Sequence, residues 1–212
     1  MKEHPIIFST EMVKAILEGR TTMTRRVIKP QPHPTWTRKY ENRPYDEDVT
    51  RGSVVSQGYL LSCPYGQVGD RLWVRETWAV HEYYNHRKPI DIPQGVTVEC
   101  RALPELVRTD GNGHRKIREG ERGKWRPSIH MPRWASRIDL DITDIRVERL
   151  QEINSDECLA EGILASCDDG IGVQGMELDY KFSKLWDSLN AKRGYSWESN
   201  PFVWCITFKR FE

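Results

Sequence analysis

The apolar residues of this chain fall in short segments, most of them alternating with polar ones, and two long stretches without a period separate the segments. A chain built this way folds through short strands, with helices only where a 3.6-residue spacing appears. Pro5-Ile6-Ile7-Phe8 reads as a first strand. Ser9 or Thr10 then caps a helix whose buried stripe is Met12, Val13, Ile16 and Leu17, and Gly19 closes it in a left-handed conformation. Arg20 to Arg26 follow as a polar loop.

Further along, Gly69-Asp70 turns into a strand over Arg71–Trp78, with Leu72, Val74 and Glu76 on one face. Ile138–Ile142 is the next strand. Its apolar set resumes at Ile145 and Val147, a slip at Asp144 that predicts a bulge or bend. Asn154-Ser155-Asp156-Glu157 has the capping-box arrangement and starts a helix that stops at Gly162. A second helix over about 178–189 puts Leu178, Phe182, Leu185, Trp186 and Leu189 on one face. Phe202–Phe208 alternates and closes the fold as its last strand. Strands with helices at their edges define an α+β class, a small, partly open β-barrel or curved sheet. The two stretches without a period, at about 31–58 and 81–124, read as loop-rich insertions, the second holding one strand at Val96–Cys100.

Composition sets the limits on chemistry. Of 212 residues 38% are hydrophobic and 30% charged, so the core is modest and the length suits one domain with insertions or two small ones. No apolar run approaches the roughly 18 residues of a membrane span, and Met1-Lys2-Glu3-His4-Pro5 lacks the pattern of a signal peptide, so a cytoplasmic protein without membrane contact is expected. Five widely spaced cysteines without a C-x-x-C pair argue against a disulfide scaffold and a zinc ribbon. No spacing matches a zinc or calcium site, a nucleophile elbow or a phosphate-binding glycine loop, and neither metal nor cofactor is expected.

A net charge of +1 argues against a nucleic-acid partner, but the charges are segregated. Residues 14–43 carry eight Lys/Arg against two acids, and residues 108–137 carry nine against three, a net +6 each. Residues 138–200 carry fourteen acids against six bases. Basic blocks that met on one face would form a phosphate-attracting surface; the alternative is two ordinary solvated loops.

Four groupings could carry chemistry. The loop Gly19-Arg20-Thr21-Thr22-Met23-Thr24-Arg25-Arg26 offers three hydroxyls and three guanidiniums, suited to a phosphate or a base edge, or else to pairing with the acidic C-terminal half. Arg75-Glu76 sets a carboxylate in register with core residues, where it needs a partner, and an arginine of the first loop is a candidate. Glu161 sits at the negative end of its helix, a position that raises a carboxyl pKa and suits a proton acceptor; the simpler account is an exposed glutamate at a frayed end. Finally, Trp125, Arg126, His130, Arg133, Trp134 and Arg137 lie between and beside two prolines and could form a stacking wall for a base, or a lid over one end of the fold.

The order of these motifs resembles the ASCH domains of the PUA-like superfamily, in the form found in phages and prophages. The residues that carry the resemblance are the capped helix with Gly19–Arg26, then Val68–Trp78, Pro127–Leu150, and Leu185–Asn190 through Phe208. It spans nearly all of the chain except the insertions. It therefore implies a single ASCH/PUA-like domain over 1–212, a PUA-like small β-barrel with flanking helices and a cleft lined by the first loop.

The ligand class that the resemblance implies is RNA or a nucleotide, with modified nucleosides and single-stranded nucleic acid included, bound in the cytoplasm of a bacterial host. Arg20, Thr21, Thr22, Thr24, Arg25 and Arg26 would line the ligand, with Arg75, Glu76, His130 and Arg133 alongside and Trp125 or Trp134 stacking. One branch of the superfamily hydrolyses the amide of N4-acetylcytidine with a loop lysine, a loop threonine and a glutamate of a later helix. Thr24 matches that threonine and Glu161 the glutamate, but Thr21 stands where the lysine would be. A threonine does not replace an amine as base or nucleophile without another activating group. Binding is thus the leading expectation, with an amidohydrolase on N4-acylated cytidine or a related base (Thr24 and Glu161 catalytic) as the alternative. A non-catalytic phage assembly or host-interaction protein, using the insertions as contact surfaces, is the third.

Overall fold

The computed structural model describes residues 1–32, 53–56, 59–102, 117, 120–164 and 175–211. It is a mixed α+β protein. Its main sheet has five strands in the order β1-β5-β8-β9-β2, where β1 is Glu3–Ile7, β2 Met23–Val27, β5 Arg71–Arg75, β8 Asp139–Arg149 and β9 Phe202–Arg210. Two-stranded pairs are formed by β3 (Ser53–Ser56) with β4 (Tyr59–Ser62) and by β6 (Trp78–Ala79) with β7 (Glu99–Cys100). The helices are α1 (Thr10–Leu17), α2 (Ser155–Ala160) and α3 (Gly175–Asn190). Among the described residues the five strands make an open sheet with β1 and β2 at its edges, where a closed barrel would have none. No helix among them is long and apolar enough to cross a membrane.

The chain divides into two compact units. The first comprises residues 1–18, 71–141 and 210–212. In it β1 runs parallel to β5 (Glu3 opposite Arg71, Ile7 opposite Arg75), and β5 pairs antiparallel with the first residues of β8. Ser9 caps α1 by accepting from the Met12 N–H at 3.3 Å, and Gly19, just past the helix, takes the left-handed φ of +74° that the sequence requires there. The expected strand over 71–78 is two: β5 ends at Arg75, and Trp78 begins β6 in a different sheet. A satellite core of Trp78, Val80, Ile92, Val98, Cys100, Met131 and Ala135 holds the described part of the second insertion. The expected strand there is only Glu99–Cys100.

The second unit comprises residues 19–70 and 142–209. The polar loop expected over Arg20–Arg26 is shorter than its sequence suggests, because Met23–Val27 pairs antiparallel with β9 (Arg25 opposite Cys205, Val27 opposite Val203). Five successive residues of β9, Phe202 to Ile206, are buried, as in a strand covered on both faces. β8 is one continuous strand in which burial shifts from Leu140 and Ile142 to Ile145, the slip expected at Asp144. Asn154 and Glu157 form the capping box of α2, and Gly162 follows it at φ +88°. Leu178, Phe182 and Trp186 of α3 pack on Leu150, Ile153, Cys158, Val203 and Cys205. Leu185 and Leu189, expected on that face, are exposed, since a single buried side needs only the i, i+4, i+8 row. Most of the first insertion lies outside the described residues.

Candidate functional site

In the second unit the loop of residues 19–26 meets the end of α2. The Thr22 N–H donates to the Ala160 carbonyl at 2.9 Å, which brings Thr21 and Glu161 to neighbouring positions. Thr21 is 3% exposed, and its hydroxyl is buried without a hydrogen-bond partner among the described residues. Thr24 is buried as well. Arg25 bonds Met23 Sδ two residues back, so these two share a face of β2 and Thr24 points to the other. Arg26 is partly buried, while Arg20 and Thr22 are exposed.

Arg25 is put to a use the sequence left open. Its side chain has no exposed surface, and its terminal nitrogens donate to Glu161 Oε1 at 3.2 Å, Glu148 Oε2 at 3.3 Å and Glu157 Oε2 at 2.6 Å. Arg146 binds the other oxygens of Glu148 and Glu157, and Cys205 Sγ donates to Glu148 Oε2 at 3.2 Å. Arg146 also reaches Asp144 at 3.6 Å, so two guanidiniums are shared among four carboxylates. Arg25 pairs with the acidic C-terminal half and does not present a guanidinium to an external phosphate.

The carboxyls respond differently to this cluster. Burial works against the charge on Glu148, but hydrogen bonds from Arg146 and Cys205 and the charge of Arg25 hold it below the ordinary range. Glu161, 7% exposed, is pushed the other way: burial raises it to about 7, against the opposing charges of Arg25 and Arg26. Its place at the C-terminus of α2 adds to the cost of ionising it. Burial also lowers the pKa of Arg26, an effect that Tyr65 and Glu161 oppose.

Sequence reasoning finds Glu161 and misses Glu148, Glu157 and Arg146 as its neighbours. A signal is present: Asp144, Arg146 and Glu148 alternate with Ile145 and Val147, placing three charges on one side of β8. In the sequence Glu157 is legible only as a cap. It accepts from Arg25 while also receiving the Asn154 N–H at 3.3 Å.

The other expected site residues belong to the first unit. Glu76 is buried and held in a fork by Arg137, with Nε to Oε1 at 2.8 Å and Nη2 to Oε2 at 3.1 Å, so its partner is not an arginine of the first loop. Arg133 forks onto Glu3 at 2.9 Å and reaches Asp139 at 3.0 Å. Trp134 packs edge-on to Trp78 at 6.3 Å, against the satellite core. Trp125 carries the Arg122 guanidinium 4.8 Å from its ring centre. His130 is exposed beside Arg75 in a groove of this unit. Among the described residues no group of three or more His, Cys, Asp or Glu is arranged to hold a metal ion.

No family model, curated protein or solved structure matches this chain. What defines the site is its chemistry: a buried carboxyl whose pKa burial raises to about 7, on a frame fixed by a buried ion cluster, with the adjoining loop holding a buried hydroxyl that has no partner among the described residues.

Proposed function

We propose that the chain is an ASCH-type, PUA-like protein of the phage or prophage kind that holds RNA or a nucleotide by its base at the loop of residues 19–26. In this reading the five-stranded sheet is the described part of a PUA-like barrel. The observation that carries it is the Thr21 hydroxyl, buried beside the end of α2 without a partner among the described residues. Such a group costs about 1–3 kcal/mol until something bonds it. Glu161, with a pKa of about 7, offers a donor in its acid form and an acceptor in its ionised form. An alternating set of donors and acceptors is what a nucleobase edge presents, and single-stranded RNA is read at such edges. With Arg25 occupied by three glutamates, the phosphate falls to the exposed residues Arg20 and Thr22.

Calorimetric titration with cytidine, cytidine monophosphate, N4-acetylcytidine and short single-stranded RNA tests this. Thr21→Val and Glu161→Gln each weaken binding about tenfold, and Arg20→Ala weakens it while flattening the salt dependence. Binding that none of the three variants alters would remove the loop from the interface.

One observation favours a second reading, hydrolysis of an N4-acyl amide. A carboxyl near pH 7 is matched to general-base work, and Glu161 is such a group. Glu161 would take a proton from water in place of the loop lysine; Thr24, on the opposite face of β2 from the Arg25–Glu161 pair, takes no part in this step. Acyl release from N4-acetylcytidine, compared between the chain, Thr21→Lys and Glu161→Gln, decides it. Turnover by the chain that Glu161→Gln abolishes establishes the enzyme, and turnover that survives Glu161→Gln excludes this mechanism.

A further inference from the structure

Four arginines of the first unit lie on or beside the sheet around β5, and three of them have carboxylate partners. Arg71 pairs with Asp141 at 2.9 Å, Arg133 with Glu3 and Asp139, and Arg137 with Glu76. Arg75 differs. Its Nη1 donates to the Ile129 carbonyl at 3.3 Å, its guanidinium carbon lies 4.5 Å from the centre of the Trp73 ring, and its Nε is buried without an acceptor among the described residues. Among the described residues no carboxylate lies within ion-pair distance of it. A half-buried guanidinium held by a carbonyl and a ring has no carboxylate to offset its charge there and uses few of its five donors.

That cation lines an open groove of about 350 Å3, shared with Pro89, Ile90, Ile129, His130 and Met131. The volume is at the low end of the range that small-ligand sites occupy, about 300–1,000 Å3. Its wall is mainly apolar, and Ile90, at 85% exposure, and Ile129 hold branched side chains in water along it. Apolar surface left in water beside an uncompensated charge is complementary to a molecule with both characters.

We infer that this groove binds a small amphipathic monocarboxylate, its carboxylate on Arg75 and its apolar chain along Ile90, Ile129 and Pro89. One cation balances one negative charge, so the ligand is a monoanion. The apolar wall selects the rest. Hydroxyls of a ribose or edges of a base would be taken from water against proline and isoleucine side chains without hydrogen-bond partners, which is unfavourable. Trp73, stacked under the guanidinium, gives a spectroscopic signal at the ligand's charged end.

The test is a fluorescence and calorimetric titration of the full chain with butanoate, hexanoate and octanoate, with hexan-1-ol and adenosine monophosphate as comparisons. Affinity should rise about fourfold for each methylene that the groove buries, and hexan-1-ol should bind at least about tenfold more weakly than hexanoate for want of the charge-assisted bond. Arg75→Gln should lower hexanoate affinity at least about tenfold. Ile90→Glu should do the same by setting a like charge at the groove, and because Ile90 is exposed this variant decides the matter even if Arg75→Gln fails to fold. Equal binding of hexan-1-ol and hexanoate, tighter binding of adenosine monophosphate than of octanoate, an Ile90→Glu variant that binds like the parent, or no saturable binding of octanoate would each overturn the assignment.

Discussion

Replacing Glu161 by glutamine should change the pH dependence of stability more than any other single substitution in the Arg25 cluster. An ordinary glutamate titrates at 4.5 and Glu161 at about 7, an interval that converts to about 3 kcal/mol. Between those pH values the folded chain keeps a proton that the unfolded chain has lost. The contribution of Glu161 to stability is therefore fully present below pH 4.5 and is lost as pH rises through 7. A glutamine side chain at this position would resemble the neutral acid in shape and cannot ionise, so it never incurs this loss. The Glu161→Gln variant should match the parent near pH 4.5 and exceed it by up to about 3 kcal/mol at pH 8, or roughly 6–12 °C in Tm for a chain of this size. Urea unfolding of both proteins from pH 4.5 to 8, followed by tryptophan fluorescence, measures the difference, in which the other titrating groups cancel. A difference that stays flat across that range would mean that Glu161 ionises normally, and the argument from its burial would fail.

Other expectations follow from named contacts. Arg25→Met leaves Glu161 without its hydrogen-bonded cation and Glu148 and Glu157 with Arg146 alone, and should cost about 3–5 kcal/mol in urea unfolding at pH 7; Arg146→Met, where the side chain is 34% exposed, should cost clearly less, and the reverse order would refute the burial argument. Asn154→Ala removes the α2 cap, whose side chain receives the Glu157 N–H at 3.0 Å, and should cost about 1 kcal/mol in the same assay. At Gly123 a Cβ would lie 2.4 Å from Asn85 Oδ1 and 2.8 Å from the Val80 carbonyl, so Gly123→Ala should break the Asn85 to Lys124 bond. Faster amide exchange at Lys124 with exchange in β9 unchanged would be the readout.

Local chemistry is legible without the fold wherever a residue acts through its immediate neighbours. Ser9, the Asn154 capping box, and the left-handed glycines at 19 and 162 all do what their spacing predicts, because a cap or a positive φ is decided within about four residues. The final strand is legible as a strand from its run of apolar residues, but the alternation expected of it is absent: Phe202 to Ile206 are all buried, because other elements cover both of its faces. The end of β5 is not legible: Glu76 continues the alternation, but the chain leaves that sheet at Arg75, and only the pairing of Trp78 with Cys100 shows where it goes. For the same reason Leu185 and Leu189 look like core in the helical period of α3, yet the elements packed there cover a single row of it.

The candidate site divides along the same line. Sequence alone determined which groups exist: a loop dense in hydroxyls and guanidiniums, a glutamate at the wrong end of a helix, and a carboxylate in register with apolar neighbours. Tertiary structure decided their partners, since Arg25 meets glutamates 123, 132 and 136 residues away and Glu76 meets an arginine 61 residues away. Charge is a property of one residue, but pairing and desolvation depend on what the rest of the chain brings to within a few ångströms. That is why the sequence could offer Arg25 and Arg75 as equals, while the fold surrounds one with carboxylates and leaves the other a cation beside an apolar groove.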